Sequence, residues 1–432
     1  MTLDTTPPTI AVTDFARPFA TIGLAIKRGA LEDPPGQEGV AFLTAQMLQR
    51  GSTGYTRPEM AEAIDHLGSS VDLSVGRDHT TLWADGLTRN REPLLRLIEH
   101  VLHKPTFPVD ELEKLKRETI ADLAALRDDD ASLGMRFFAR HLYGDHLYGR
   151  PMKGTETTLA AIQPEDLARY HRTWTADRAL VAMAGDIAEP EQRSIGQRLV
   201  AGLGPSSGAD VQVAAAEPTK PGWRVLIVDK PQRTQTQVFI GQLTIDAKSR
   251  DWTPLQVGQT SFGGTFTSRF SHEIREKRGW SYGAWSQVSG DQRLGTFMLR
   301  FYPTTKDTVP ALALTDELLT DFCVTGPTAD EFANAQSYLQ NGFVFAIDTA
   351  VKRLAELVSS RLLGHPDDHV DSTVDRLKRV TYEHAVEAVQ RHLRPADMAI
   401  TIVGTASELE KDLRQLERVV SVDVVDWQAD FK

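Results

Sequence analysis

At 432 residues the chain is longer than one ordinary hydrophobic core spans, so about two to four domains are expected. Its composition, 41% apolar, 25% charged and 7% aromatic, is that of a globular protein, and a net charge of -11 without a cluster of Lys and Arg excludes a general nucleic-acid binder. The single Cys323 excludes an intramolecular disulfide and any cysteine-built zinc or iron-sulfur site; within the apolar run LLTDFCVTG it reads as a buried thiol.

The start, MTLDTTPPTIAVTD, has neither the basic region nor the apolar region of a secretory signal. No stretch approaches the roughly 18 to 20 apolar residues that span a bilayer. Both features suit a soluble cytoplasmic protein, or a periplasmic one whose signal has been removed. A β-rich run, TIGLAIKRGALED, begins at Thr21, and SVDLSVGRDHTTLWADGL alternates as strands from Ser70. Amphipathic helices follow, and ALVAMAG, from Ala179 to Gly185, closes the first half as an apolar strand. The segment GLGPSSGADVQVAAAEPTKPG, Gly202 to Gly222, is rich in Gly, Ser, Pro and Ala and reads as a seam. Beyond it the pattern recurs: WRVLIVDK, TQVFIGQLTID and GTFMLRFYPT are strands, long helices follow, and MAITIVG closes the second half at Gly404. An offset of about 219 residues maps the region of Phe42 onto that of Phe262, the mark of an internal duplication. The expected fold is α+β, two similar α/β-sandwich halves at residues 1–203 and 223–432, joined by a linker at 204–222.

Candidate chemistry is sparse. Gly279-Trp-Ser281-Tyr-Gly283 matches the G-x-S-x-G pattern of serine hydrolases, but that serine needs a strand before it and a helix after it. Here the charged helical stretch SHEIREKR comes first and AWSQVSG reads as a strand, so the order is inverted. No H-x-x-E-H, H-E-x-x-H or close H-x-H pair is present; His141 and His146 are five apart, too long a step for one helix face. His79 sits on an apparent strand, and Asp128 to Asp130 read as a solvated helix end rather than a cation loop. No metal is expected in this chain. In SRFSHEIREKRGWSYG, Phe270 and Ile274 share a helix face, Gly279 can end that helix, and Trp280 and Tyr282 alternate as on a strand. Arg275 and Tyr282 can therefore converge, and a guanidinium and a phenol are donors suited to a carbonyl or a developing oxyanion. A surface cation beside a half-buried tyrosine is the plainer alternative.

Four landmarks carry a resemblance along nearly the whole chain: RGALEDPPGQEGVAFLTAQMLQRGSTGYT from Arg28, LYGDHLYGRPMKGT from Leu142, the strand to Gly185, and FGGTFTSRFSHEIREKRGWSYGAWS from Phe262. In these the sequence resembles the pitrilysin and insulinase-type zinc peptidases, including the mitochondrial processing peptidases and their two-domain bacterial relatives. Catalytic members carry an inverted motif, H-x-x-E-H, whose histidines bind zinc and whose glutamate is the general base. The corresponding positions here are Phe42, Ala45 and Gln46, with Asp122 at the third ligand, so the resemblance implies a degenerate metal site.

Arg275 and Tyr282 match a second-domain Arg and Tyr that hold the substrate backbone in this family. The resemblance thus implies a non-catalytic subunit of a heterodimeric metallopeptidase, inactive alone, acting in trans on peptide at the zinc of an H-x-x-E-H partner. The family also adds peptide to a sheet edge, which falls here at Ser70 to Arg77. A scaffold role like that of the core proteins of the respiratory bc1 complex, a serine hydrolase using Ser281, and a zinc peptidase with unorthodox ligands are the rivals.

Overall fold

The computed structural model describes residues 7–204, 213 and 219–429. Eleven strands form its two main sheets: β1 (Thr9–Thr13), β2 (Phe19–Ile26), β3 (Ser70–Val75), β4 (Thr80–Leu87), β5 (Ala179–Gly185), β6 (Trp223–Asp229), β7 (Gln237–Thr244), β8 (Ala284–Gly290), β9 (Gly295–Phe301), β10 (Met398–Gly404) and β11 (Val419–Asp426). Four helices matter below: α1 (Val40–Met47), α2 (Val109–Ala125), α3 (Asp130–Tyr143) and α4 (Ala350–Leu363). The first sheet runs β1-β5-β2-β4-β3 and the second β8-β9-β7-β10-β6-β11. Read from the hairpin edge, β3-β4-β2-β5-β1 and β8-β9-β7-β10-β6 are one topology, with the same antiparallel step at β2/β5 and β7/β10 and the same parallel step at β1/β5 and β6/β10. The second sheet adds β11, parallel to β6. The mixed helix and sheet architecture of two related halves is the α+β fold read from the sequence.

Central strands are buried along almost their whole length, β2 as FATIGLAI and β5 as ALVAMAG, because both of their faces are covered. The cover identifies two compact units that are not the two sequential halves: one comprises Met1–Leu123, Arg150–Val213 and Ala346–Leu362, the other Ala124–Gly149, Ala214–Phe345 and Leu363–Lys432. In the first unit, Leu354 and Val358 of α4 pack on Ala25, Leu180, Ala182 and Ala184. In the second, Phe138 and Leu142 of α3 pack on Phe239, Met298 and Ala399. Gly134 lets α3 approach its sheet: a Cβ there would stand 2.4 Å from Phe239 Cε2 and 3.0 Å from Val403 Cγ2. Boundaries at 204–222 thus separate the strands of the two sheets but not the packing units, since each sheet is covered by a helix from the other half of the sequence. Residues 205–212 and 214–218 of that linker lie outside the described residues.

The acidic run 128–130 is not simply a solvated helix end. Asp129 caps α3, accepting from the Ala131 and Ser132 N–H groups at 2.8 and 3.2 Å, and Asp130 pairs with the buried Lys230 at 2.5 Å and with Arg233 at 3.1 Å. The other face of the second sheet buries Phe262, Phe270, Ile274, Phe301 and Phe322, with Phe262 and Phe322 centroids 4.9 Å apart. Phe270 and Ile274 are fully buried together, as their helical spacing requires.

Candidate functional site

Phe42, Ala45 and Gln46 share one face of α1 at i, i+3 and i+4. The helix starts where Asp33 accepts from the N–H groups of Gly39 at 2.7 Å and Ala41 at 3.0 Å, and burial pushes the Asp33 carboxyl up to about 7 against those two donors. Lys153 Nζ lies 5.4 Å from the half-buried Phe42 ring, and Ala45 is fully buried. Gln46 turns its amide to the sheet and donates from Nε2 to Leu73 O at 3.2 Å. Asp122 is exposed on α2, with no hydrogen bond or ion pair among the described residues. A zinc ion does not fit this set: Phe42 and Ala45 offer no donor atom and the Gln46 amide nitrogen is engaged with the backbone. Among the described residues there is no group of three or more His, Cys, Asp or Glu side chains placed to hold a metal.

Side chains of α1 and of the turn after it reach the sheet edge beside the helix. Across the turn at Arg77-Asp78 the Gly76 N–H donates to His79 O at 2.8 Å, so the alternation of an antiparallel pair gives the exchanged bonds to Ser74, Asp72 and Ser70. Val71, Leu73 and Val75 therefore turn their N–H and C=O groups to the free edge of β3. Gln49 donates from Nε2 to Val71 O at 2.6 Å and Gln46 to Leu73 O, so two of the three outward carbonyls are occupied by side chains of this chain. Replacing both glutamines by alanine should lower stability by about 1–3 kcal/mol, two net hydrogen bonds. Urea unfolding measures it, and an unchanged midpoint would remove these amides from the edge's stability.

In the second unit, the helical stretch Arg269–Lys277 widens to π-type over His272–Lys277, and the preceding Thr260–Gly264 is π-type as well. Gly279, at φ +64°, ends it: Gly279 N–H donates to Arg275 O at 3.1 Å and Trp280 N–H to Ile274 O at 3.1 Å. Because Trp280 is used in this cap, the strand begins only at Ala284, four residues later than the alternation of Trp280 and Tyr282 suggests.

The wide turn brings three side chains together. The Arg275 guanidinium lies 3.6 Å from the Phe266 ring centroid and 5.5 Å from that of Tyr282, with Nη1 3.6 Å from Glu276 Oε1. Phe266 is 61% exposed and Tyr282 79%, so neither ring is there to fill the core. Cation–π contact with two exposed rings holds the guanidinium in place, and its N–H groups that do not face Glu276 are left for a ligand.

Ser281 is occupied instead. Its hydroxyl donates to Gly283 O at 2.6 Å and accepts from Tyr302 N–H at 2.9 Å, and it is buried. It pins the turn to Tyr302, which directly follows β9, and is not set up as a nucleophile.

Two family models match the chain. Residues 9–156, which hold α1 and β3, match the model described as Insulinase (Peptidase family M16), and residues 161–339, which hold Arg275 and Tyr282, match the Peptidase M16 inactive domain. The chain belongs to peptidase family M16. An uncharacterised zinc protease of Mycobacterium leprae is 26% identical over 418 residues, 93% of this chain and 90% of that protein. A protein of Helicobacter pylori named as a non-peptidase homologue is 21% identical over 402 residues, 92% and 91% of the two chains. The crystal structure of a peptidase M16 inactive domain from Pseudomonas fluorescens superposes with a TM-score of 0.86 at 24% identity, covering 93% of this chain and 96% of that one.

Within the M16 frame the sequence gives no sign of two participants. Gln49 lies outside the degenerate motif, and only the pairing register of β3 shows that its amide reaches an outward carbonyl. Phe266 precedes Arg275 by nine residues across a loop, and a helical period does not connect them.

Proposed function

We propose that this chain is the non-catalytic subunit of a heterodimeric zinc metallopeptidase and that Arg275 and Tyr282 act in trans on peptide bound at the partner's metal site. The carrying observation is the contrast between the two sites. Of the degenerate metal positions, Ala45 and Gln46 have turned inward as packing and edge-capping groups and Asp122 stands alone on the surface, whereas Arg275 is held against the exposed rings of Phe266 and Tyr282. The metal and the activation of water belong to an H-x-x-E-H homologue. The guanidinium and the phenol donate to the substrate backbone and to the oxyanion that develops on the scissile carbonyl. Because two carbonyls at the middle of the β3 edge are already taken by Gln46 and Gln49, peptide contact in this chain is assigned to Arg275 and Tyr282 rather than to the edge.

The test is reconstitution. Alone, the chain should cleave no peptide; mixed with a purified H-x-x-E-H homologue, it should raise the rate well above that of the homologue alone. Peptide cleavage by the isolated chain, or a mixture no faster than its parts, would overturn the reading.

A further inference from the structure

A cavity of about 540 Å³ opens on the second sheet where α3 stops, and it belongs to no site described above. The register places Arg224 of β6 beside Ser421 of β11 and beside Ala399 of β10. Asp423 follows Ser421 by two residues and so projects from the same face. This is the face on which α3 lays Phe138 and Leu142; past Gly144 the helix no longer covers it, and the cavity fills the gap.

The polar groups of this cavity are unsatisfied in a specific way. Arg224 Nε is buried with no hydrogen-bond partner, and so is Ser421 Oγ. Among the described residues neither the Arg224 nor the Asp423 side chain makes a hydrogen bond or an ion pair, although both line the same cavity. Buried donors without acceptors are costly, and native structures answer them with water, an ion or a ligand. His141 supplies no charge: burial pushes it down to about 4, and its Nδ1 lies 3.3 Å from Thr401 Oγ1. The charged groups that remain are Arg224 and Lys220 against Asp145 and Asp423. A phosphate dianion would meet two carboxylates as well as two cations. A ligand with one charge of each sign would satisfy both kinds, and the volume is in the range of about 300–1,000 Å³ usual for small-molecule sites.

We propose that this cavity binds a small zwitterion of the amino-acid or short-peptide class, with its carboxylate on the Arg224 guanidinium and the Ser421 hydroxyl and its ammonium on Asp423. The proposal is independent of the assignment of Arg275 and Tyr282. Calorimetric titration of the full chain with triglycine should give one saturable site. Triglycine amide, and Arg224→Gln with triglycine, should each bind at least about tenfold more weakly, the usual effect of losing a hydrogen bond to a charged group.

Asp423→Asn should weaken triglycine several-fold yet leave the affinity for N-acetyl-triglycine unchanged, since that probe has no ammonium to lose. Asp423 is exposed and Ser421→Ala is nearly isosteric, so both variants test the site even if Arg224→Gln folds poorly. Absence of saturable triglycine binding, binding indifferent to Asp423→Asn and Ser421→Ala, or inorganic phosphate binding tighter than triglycine would each overturn it.

Discussion

In a complex reconstituted with an H-x-x-E-H homologue, Arg275→Ala should lower kcat by about 10²- to 10³-fold, the usual loss when one oxyanion donor is removed. The kcat and kcat/KM values should both fall, kcat/KM the more, because the guanidinium donates to the bound substrate backbone as well as to the oxyanion that forms only in the transition state. Tyr282→Phe keeps the ring against the Arg275 guanidinium and removes only the hydroxyl, so it isolates the donor from the stack. Arg275→Lys is the complementary control: it keeps the charge but not the guanidinium, whose Cζ lies 3.6 Å from the Phe266 centroid. It should behave like alanine if stacking sets the geometry, and like wild type if charge alone matters. None of these variants should alter the melting temperature appreciably, since Tyr282 is exposed and Arg275 packs on exposed rings. Wild-type rates for all three would remove the in-trans role and leave a scaffold subunit in its place.

The second large effect is on stability. Phe138→Ala should destabilise by about 3–5 kcal/mol and Leu354→Ala by about 2–5 kcal/mol, the costs of emptying well-packed core sites. Where the damage appears is the sharper test. Phe138 precedes the linker in sequence but packs on Phe239, Met298 and Ala399, so hydrogen exchange should speed up in β7, β9 and β10. Leu354 follows the linker but packs on Ala25, Leu180, Ala182 and Ala184, so its loss should open β2 and β5. Local opening in the sheet of the same sequential half, rather than in the other, would refute the exchange of covering helices.

Periodicity made the two repeated halves legible, because alternating strands, their apolar closing runs and the spacing of Phe270 and Ile274 are local properties. It could not show which sheet a helix covers. The apolar stripes of α3 and α4 announce only that one face is buried, and the choice of sheet depends on contacts between residues far apart in sequence. The same limit applies to the site. Loss of metal donors at Phe42, Ala45 and Gln46 is read directly from residue type. The new task of Gln46 as an edge cap depends on which carbonyls of β3 point outward, a matter of register that a single strand does not carry. The late start of β8 likewise follows from a tertiary demand, the use of the Trp280 N–H by the helix end and the pinning of the turn by Ser281.

The crossed covering helices also set an order of events on the ribosome. Every strand of the first sheet is translated before α4, which emerges only after four of the six strands of the second sheet. The first unit can pair its strands early, but the face of β2 and β5 that receives Leu354 and Val358 waits for a segment made much later. Meanwhile α3, already synthesised, has its sheet still to come. Neither half can therefore be finished before the other is well advanced, and two repeats that look separable in sequence mature as a single cooperative product.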